Sequence, residues 1–107
     1  MGFKRKQSRV EVGRAGRIQK GSLSAPCRVL DVNETGAKIE SRLFVKTGDM
    51  LQLAIELDRG RVVTCRLQVV HVRAPKFGTK IVSITPEDQE RLIHMLDDHM
   101  QTNFTRR

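Results

Sequence analysis

The clearest pattern in the chain is an alternation. Leu51, Leu53, Ile55 and Leu57 fall on one face of an extended segment, with Gln52, Ala54 and Glu56 on the other. A period of two with one apolar face marks a half-buried antiparallel strand. The alternation recurs in the long run Val62–Arg73, where Val63, Cys65, Leu67 and Val69 share a face. The apolar set then shifts to Val70 and Val72, which predicts a bulge where that strand bends. Further strands are predicted from Val10 and Val12 towards Ile18, over Arg28–Val32 with Val29 and Asp31 on one face, and over Phe77–Ile84. After Gly36, Ala37, Ile39 and Ser41 lie on one face, and Lys38 and Glu40 on the other. Gly78 stands where a side chain would crowd a neighbour. Turn chemistry separates these runs at Gly21-Ser22, Asn33–Gly36, Lys46-Thr47-Gly48-Asp49, Asp58-Arg59-Gly60-Arg61 and Ala74-Pro75-Lys76. Pro26 suits an edge or the beginning of a strand.

The period changes after Ile84. Thr85-Pro86-Glu87-Asp88 has a capping hydroxyl, a proline suited to the first helical position, and acids at the positive end of the helix dipole. Leu92, Ile93, Leu96 and Met100 then form a stripe at helical spacing, flanked by Met95, which reads as core packing. Five or six short strands and one terminal helix predict a small, mainly all-β antiparallel barrel. Closing the sheet removes the exposed edges it would otherwise carry. Residues 1–9 read as a basic arm, mobile without a ligand, residues 10–101 as the barrel with its helix, and residues 102–107 as a tail.

A chain of 107 residues suits one domain. Lys and Arg number 20 against 12 Asp and Glu, a formal net charge of +8 that attracts polyanions. The chain has no Trp or Tyr and four Phe, too few for the stacking platform that single-stranded nucleic acid needs. A small basic nucleic-acid-binding barrel therefore stands only as an alternative. Cys27 and Cys65 are isolated and read as buried thiols in a reducing cytosol. His94 and His99 are five apart, which does not bring them to one helix face, so no metal site is expected. No apolar run approaches the roughly 18 residues of a membrane span, and no export signal is visible. No pairing of nucleophile and base marks the chain as an enzyme. The expectation is a cytoplasmic, non-catalytic protein without a cofactor.

Two short segments carry the candidate chemistry. Arg5 and Arg9 are four residues apart in Arg5-Lys6-Gln7-Ser8-Arg9. Each guanidinium is a planar fork of donors suited to phosphate or to the Hoogsteen edge of guanine. In Asp31-Val32-Asn33-Glu34-Thr35-Gly36, Asp31 is a pure acceptor that matches the N1–H and N2–H₂ edge of guanine. Asn33 offers a donor and an acceptor, and Gly36 permits a positive φ and close approach of a ligand. The same turn also reads as an ordinary Asx turn between strands.

Together, R-x-x-x-R followed by [D/N]-x-S-x-x-G resembles the signature of PilZ domains, bacterial receptors for the second messenger cyclic di-GMP. The likeness extends over Arg28–Glu40, the turn at Gly48-Asp49, the strand ending His71-Val72-Arg73, Phe77-Gly78 and the Thr85-Pro86-Glu87-Asp88 helix start, so the chain looks like a stand-alone member. The resemblance implies a six-stranded antiparallel β-barrel with a C-terminal α-helix. It implies that Arg5 and Arg9 grip phosphates and guanine faces, while Asp31, Asn33 and the Gly36 turn meet a guanine from the barrel surface. It also implies a relay to a protein effector when the ligand orders the arm. The motif's serine is Asn33 here, and a misplaced polar contact costs on the order of 1 kcal/mol. A PilZ-like adaptor without ligand binding is the alternative that this substitution raises.

Overall fold

The computed structural model describes residues 10–105. Six strands form a closed barrel: β1 (Val10–Lys20), β2 (Leu23–Val32), β3 (Gly36–Ser41), β4 (Met50–Glu56), β5 (Val62–Arg73) and β6 (Lys76–Ile84). One helix, α1 (Pro86–Thr105), follows. The strand order is β1-β2-β3-β6-β5-β4, and β4 pairs back onto β1. Every pairing is antiparallel.

The alternation in the sequence becomes the inside and outside of this barrel. Leu51, Leu53 and Ile55 of β4 face Val63, Cys65 and Leu67 of β5 and are buried in one cluster with Ile18, Val29, Ile39 and Phe77. Each fully buried aliphatic side chain of this kind stabilises the fold by about 1.5–3 kcal/mol relative to exposure. Pro26 sits in β2 before the pairing with β3 begins at Cys27, so the missing N–H falls where β2 is laddered on one side only.

Bulges set the faces of several strands, including one in β6 opposite Arg66 and Leu67. The ladder between β5 and β6 shifts between Val69 and His71, as the change of apolar phase predicts, and leaves Val70 and Val72 exposed. A second shift lies between Val29 and Asp31 in β2 and was not expected. It breaks the alternation, so Val29 and Val32 are buried while Asp31 pairs with the outward Lys38. Asp31 thus does not share the face of Val29. A third shift lies between Glu11 and Arg14 in β1.

Thr85 caps α1: the Asp88 amide donates to its Oγ1 at 3.1 Å, and Oγ1 donates to the Asp88 carboxylate at 3.2 Å. Leu92, Met95 and Leu96 are buried in the barrel's own cluster, and α1 packs against β5 and β1. The inward face is therefore the i, i+3, i+4 set centred on Met95, and Ile93 is only half-buried. α1 continues through residues 102–105, which the sequence pattern assigns to the tail.

Candidate ligand-binding site at the β2–β3 turn

The chain reverses between Val32 and Gly36 in a turn built by one side chain. Asn33 Oδ1 accepts from the Thr35 amide at 2.8 Å, the Thr35 hydroxyl at 2.8 Å and the Gly36 amide at 3.0 Å. The Asn33 amide in turn donates to the Gly36 carbonyl at 2.9 Å. This is an Asx turn, in which a short side-chain carbonyl imitates the backbone. The Thr35 carbonyl accepts from the Ile81 amide at 2.7 Å, which ties the turn to β6. The Asn33 carbonyl oxygen is thus committed to the turn, as the Asx reading expects.

Gly36 is buried, and its φ lies outside the left-handed region, which among the described glycines holds Gly13, Gly21, Gly48 and Gly60. Its smallness serves another purpose. A Cβ at Gly36 would strike the Thr79 backbone carbonyl of β6. The expected positive φ is absent, and close approach of β6 is the reason for glycine here.

Asp31 is half-buried on the outer side of β2, in register with Glu11 of β1 and Lys38 of β3. The row continues across the barrel, because Lys38 pairs with Gly78 and Gly78 with His71. The His71 ring lies over Gly78 so closely that a Cβ there would overlap it. Gly36 pairs with Lys80. Lys38 and Lys80 thus bring cationic charge to the surface around the turn. Their outward direction follows from strand alternation, but their proximity to Asp31 and Gly36 follows from register between strands distant in sequence. The sequence pattern therefore did not single them out.

Arg5 and Arg9 lie outside the described residues. The described chain begins at the turn, however. Val10 pairs with Val32 and Glu11 with Asp31, so β1 starts beside Asp31 at the residue that follows Arg9. Asp31, Asn33 and Gly36 are thereby gathered within one hairpin, at the end of the barrel where the arm joins it.

The thiols lie elsewhere. Burial pushes Cys65 up to about 12, with the Asp88 charge adding to the effect, and pushes Cys27 up to about 11 against the opposing charge of Arg17. Neither is a thiolate at neutral pH, so neither offers a nucleophile. Among the described residues no group of His, Cys, Asp and Glu is placed to hold a metal ion. Among the described residues no helix is long and apolar enough to cross a membrane.

The PilZ domain family matches residues 3–98, nearly the whole chain. The chain belongs to the PilZ domain family. The family is one of ligand-binding and adaptor domains, and the closed six-stranded barrel with its terminal helix is its fold. Solved PilZ-like structures share this architecture at low identity. The inhibitor of motility MotI/DgrA from Bacillus subtilis superposes with a TM-score of 0.75 at 16% identity, over 92% of this chain and 50% of that one. The PilZ domain of CeSA from a cellulose-synthesizing bacterium gives 0.68 at 10% identity, over 85% and 96%. MrkH of K. pneumonia in its apo state gives 0.76 at 12% identity, over 94% and 53%. The chain spans about half the length of MotI/DgrA and of MrkH. At these identities the likeness is one of fold. No curated protein matches the sequence.

Proposed function

We propose that this PilZ domain is a receptor for cyclic di-GMP, held between residues 1–9 and the outer face of the β2–β3 turn. One observation carries the reading: the pairing of Val10 with Val32 and of Glu11 with Asp31 starts β1 next to the turn, one residue after Arg9. The two halves of the signature are distant in sequence, and a strand that begins beside the turn directly after Arg9 supports their acting as one site. Family membership supports cyclic di-GMP as the ligand class.

In this reading Arg5 and Arg9 hold phosphates and guanine edges with their planar forks. Asp31 accepts from the donor edge of a guanine. Asn33 and Gly36 act through shape: the first fixes the hairpin, and the second lets β3 lie close on β6, so that Asp31 is presented on a rigid strand end. Lys38 and Lys80 add positive charge beside the phosphates. The site has no catalytic role. Ligand binding draws residues 1–9 onto the barrel and changes the surface seen by a protein effector.

Isothermal titration with cyclic di-GMP tests this. Saturable heat is expected from the wild type, with Arg5→Ala and Arg9→Ala each removing most of it and Asn33→Ser preserving or improving it. Absence of heat and of retained nucleotide at tens of micromolar contradicts the proposal. Co-purified nucleotide shows directly as excess absorbance in the nucleobase band, because the chain has no Trp or Tyr.

A further inference from the structure

The far end of the β2–β3 hairpin carries a second surface, apart from the turn of the proposed nucleotide site. Val32 pairs with Ala37 beside the turn, whereas Cys27 pairs with Ser41 at the other end, four steps along β3 or about 13 Å away. There a cavity of about 260 Å³ opens above Leu43, Val45 and Phe77, walled by Phe44, Val72 and Pro75. A hollow of about 420 Å³ shares Ser41, Arg42 and Pro75 with it and continues to Pro26 and Arg28. The two adjoin at these shared residues and are taken together as one groove.

Phe44 is 73% exposed, whereas Phe77 is buried in the core. Its backbone is nevertheless tightly held. Lys20 Nζ donates to the Phe44 carbonyl at 2.9 Å, stands 5.7 Å from the ring centroid and pairs with Asp49 at 3.2 Å. Ser41 pins the start of the same loop: its amide donates to the Pro75 carbonyl, its Oγ donates to the Pro26 carbonyl, and Oγ accepts from the Leu43 amide. A large apolar ring presented from a fixed loop loses little entropy on contact, which is the behaviour of an interface anchor. Val72 is exposed beside it because the bulge in β5 turns it outward.

The rim has a sign. The charged residues lining the groove are Arg28, Arg42 and Lys76 against the single acid Glu40. Arg73 extends the same row, since Arg28 pairs with Glu40, Glu40 with Lys76 and Lys76 with Arg73. We propose that this groove docks a partner protein through an acidic segment bearing one bulky apolar side chain. The apolar side chain fills the hollow against Phe44 and Val72, and its flanking carboxylates meet Arg42, Lys76 and Arg28. This arrangement, an apolar centre inside a charged rim, is that of a specific interface. The apolar hollow and the proposed nucleotide site lie towards opposite ends of one hairpin, with the charged rim between them, since Glu40 is two residues along β3 from Lys38.

The test pans a random phage-displayed peptide library against the full chain, then measures the enriched peptides on wild type, Phe44→Ala and Arg42→Glu. Both variants alter exposed side chains, and circular dichroism confirms their fold. The expected result is enrichment of peptides with a Phe, Leu or Trp among Asp and Glu, binding each variant at least about tenfold more weakly. Cyclic di-GMP titration of Phe44→Ala is expected to match wild type, which separates this surface from the nucleotide site. No enrichment, enrichment of uncharged or basic peptides, or equal binding to the variants overturns the proposal. So does concentration-dependent self-association that Phe44→Ala abolishes, because a second copy would then be the occupant.

Discussion

Asn33 shows how much one side chain organises. Its carbonyl oxygen receives three donors within the turn. Asn33→Ala removes all three and is expected to destabilise the fold by about 1–2 kcal/mol in urea denaturation. Asn33→Ser is expected to cost less, since a hydroxyl closes the same kind of turn more weakly. Gly36→Ala forces a methyl against the Thr79 carbonyl, a backbone atom that cannot rotate away. A loss of about 3 kcal/mol, the upper range for overpacking, is expected in the same assay. The thiols set the alkaline limit. Burial raises Cys65 from an ordinary 9.0 to about 12 and Cys27 from 9.0 to about 11. Between those values the unfolded chain has released thiol protons that the native chain still holds. Their contribution to stability is thus complete below about pH 9 and is lost as pH rises towards 11–12. Denaturation midpoints are expected to fall over that window, and a thiol reagent at neutral pH should reach Cys65, which is buried, quickly only after unfolding, whereas Cys27 is half-buried. Fast reaction of Cys65 on the native chain contradicts this.

At the scale of elements, β4 and β5 were legible because inside and outside alternate without interruption from Leu51 to Ile55 and from Val63 to Val69. The bulge after Val69 was legible too, since two valines change phase there. The bulge at Leu30 was not. Asp31 is short and polar, so its outward position leaves no apolar mismatch in the pattern. The end of α1 was equally hidden, because residues 102–105 are polar enough to read as a tail. The halves of the candidate site were legible as motifs, but Lys38 and Lys80 were not. Their place depends on which strands pair, and β3 finds β6 across 34 intervening residues. The helix start was read correctly, and it predicts its own test. Thr85→Ala removes the cap on α1 and is expected to cost about 1 kcal/mol in urea denaturation. An unchanged midpoint would mean that the Thr85 hydroxyl is replaceable by water.

Across the whole molecule, charge is unevenly distributed. Residues 86–105 hold five acids and one base, so the net charge of +8 resides on the barrel and the termini rather than on α1. A dianionic ligand is drawn to that basic surface, and added salt is expected to weaken its binding by screening. The proposed receptor unites the arm and the turn in one site where β1 begins. An amide-resolved NMR titration with cyclic di-GMP tests that union. Resonances from residues 5–11 and from Asp31–Gly36 are expected to shift together and saturate at the same ligand ratio, while those of Arg42–Val45 stay in place. A spectrum in which the turn is unmoved, or in which the arm and the turn saturate separately, would contradict it.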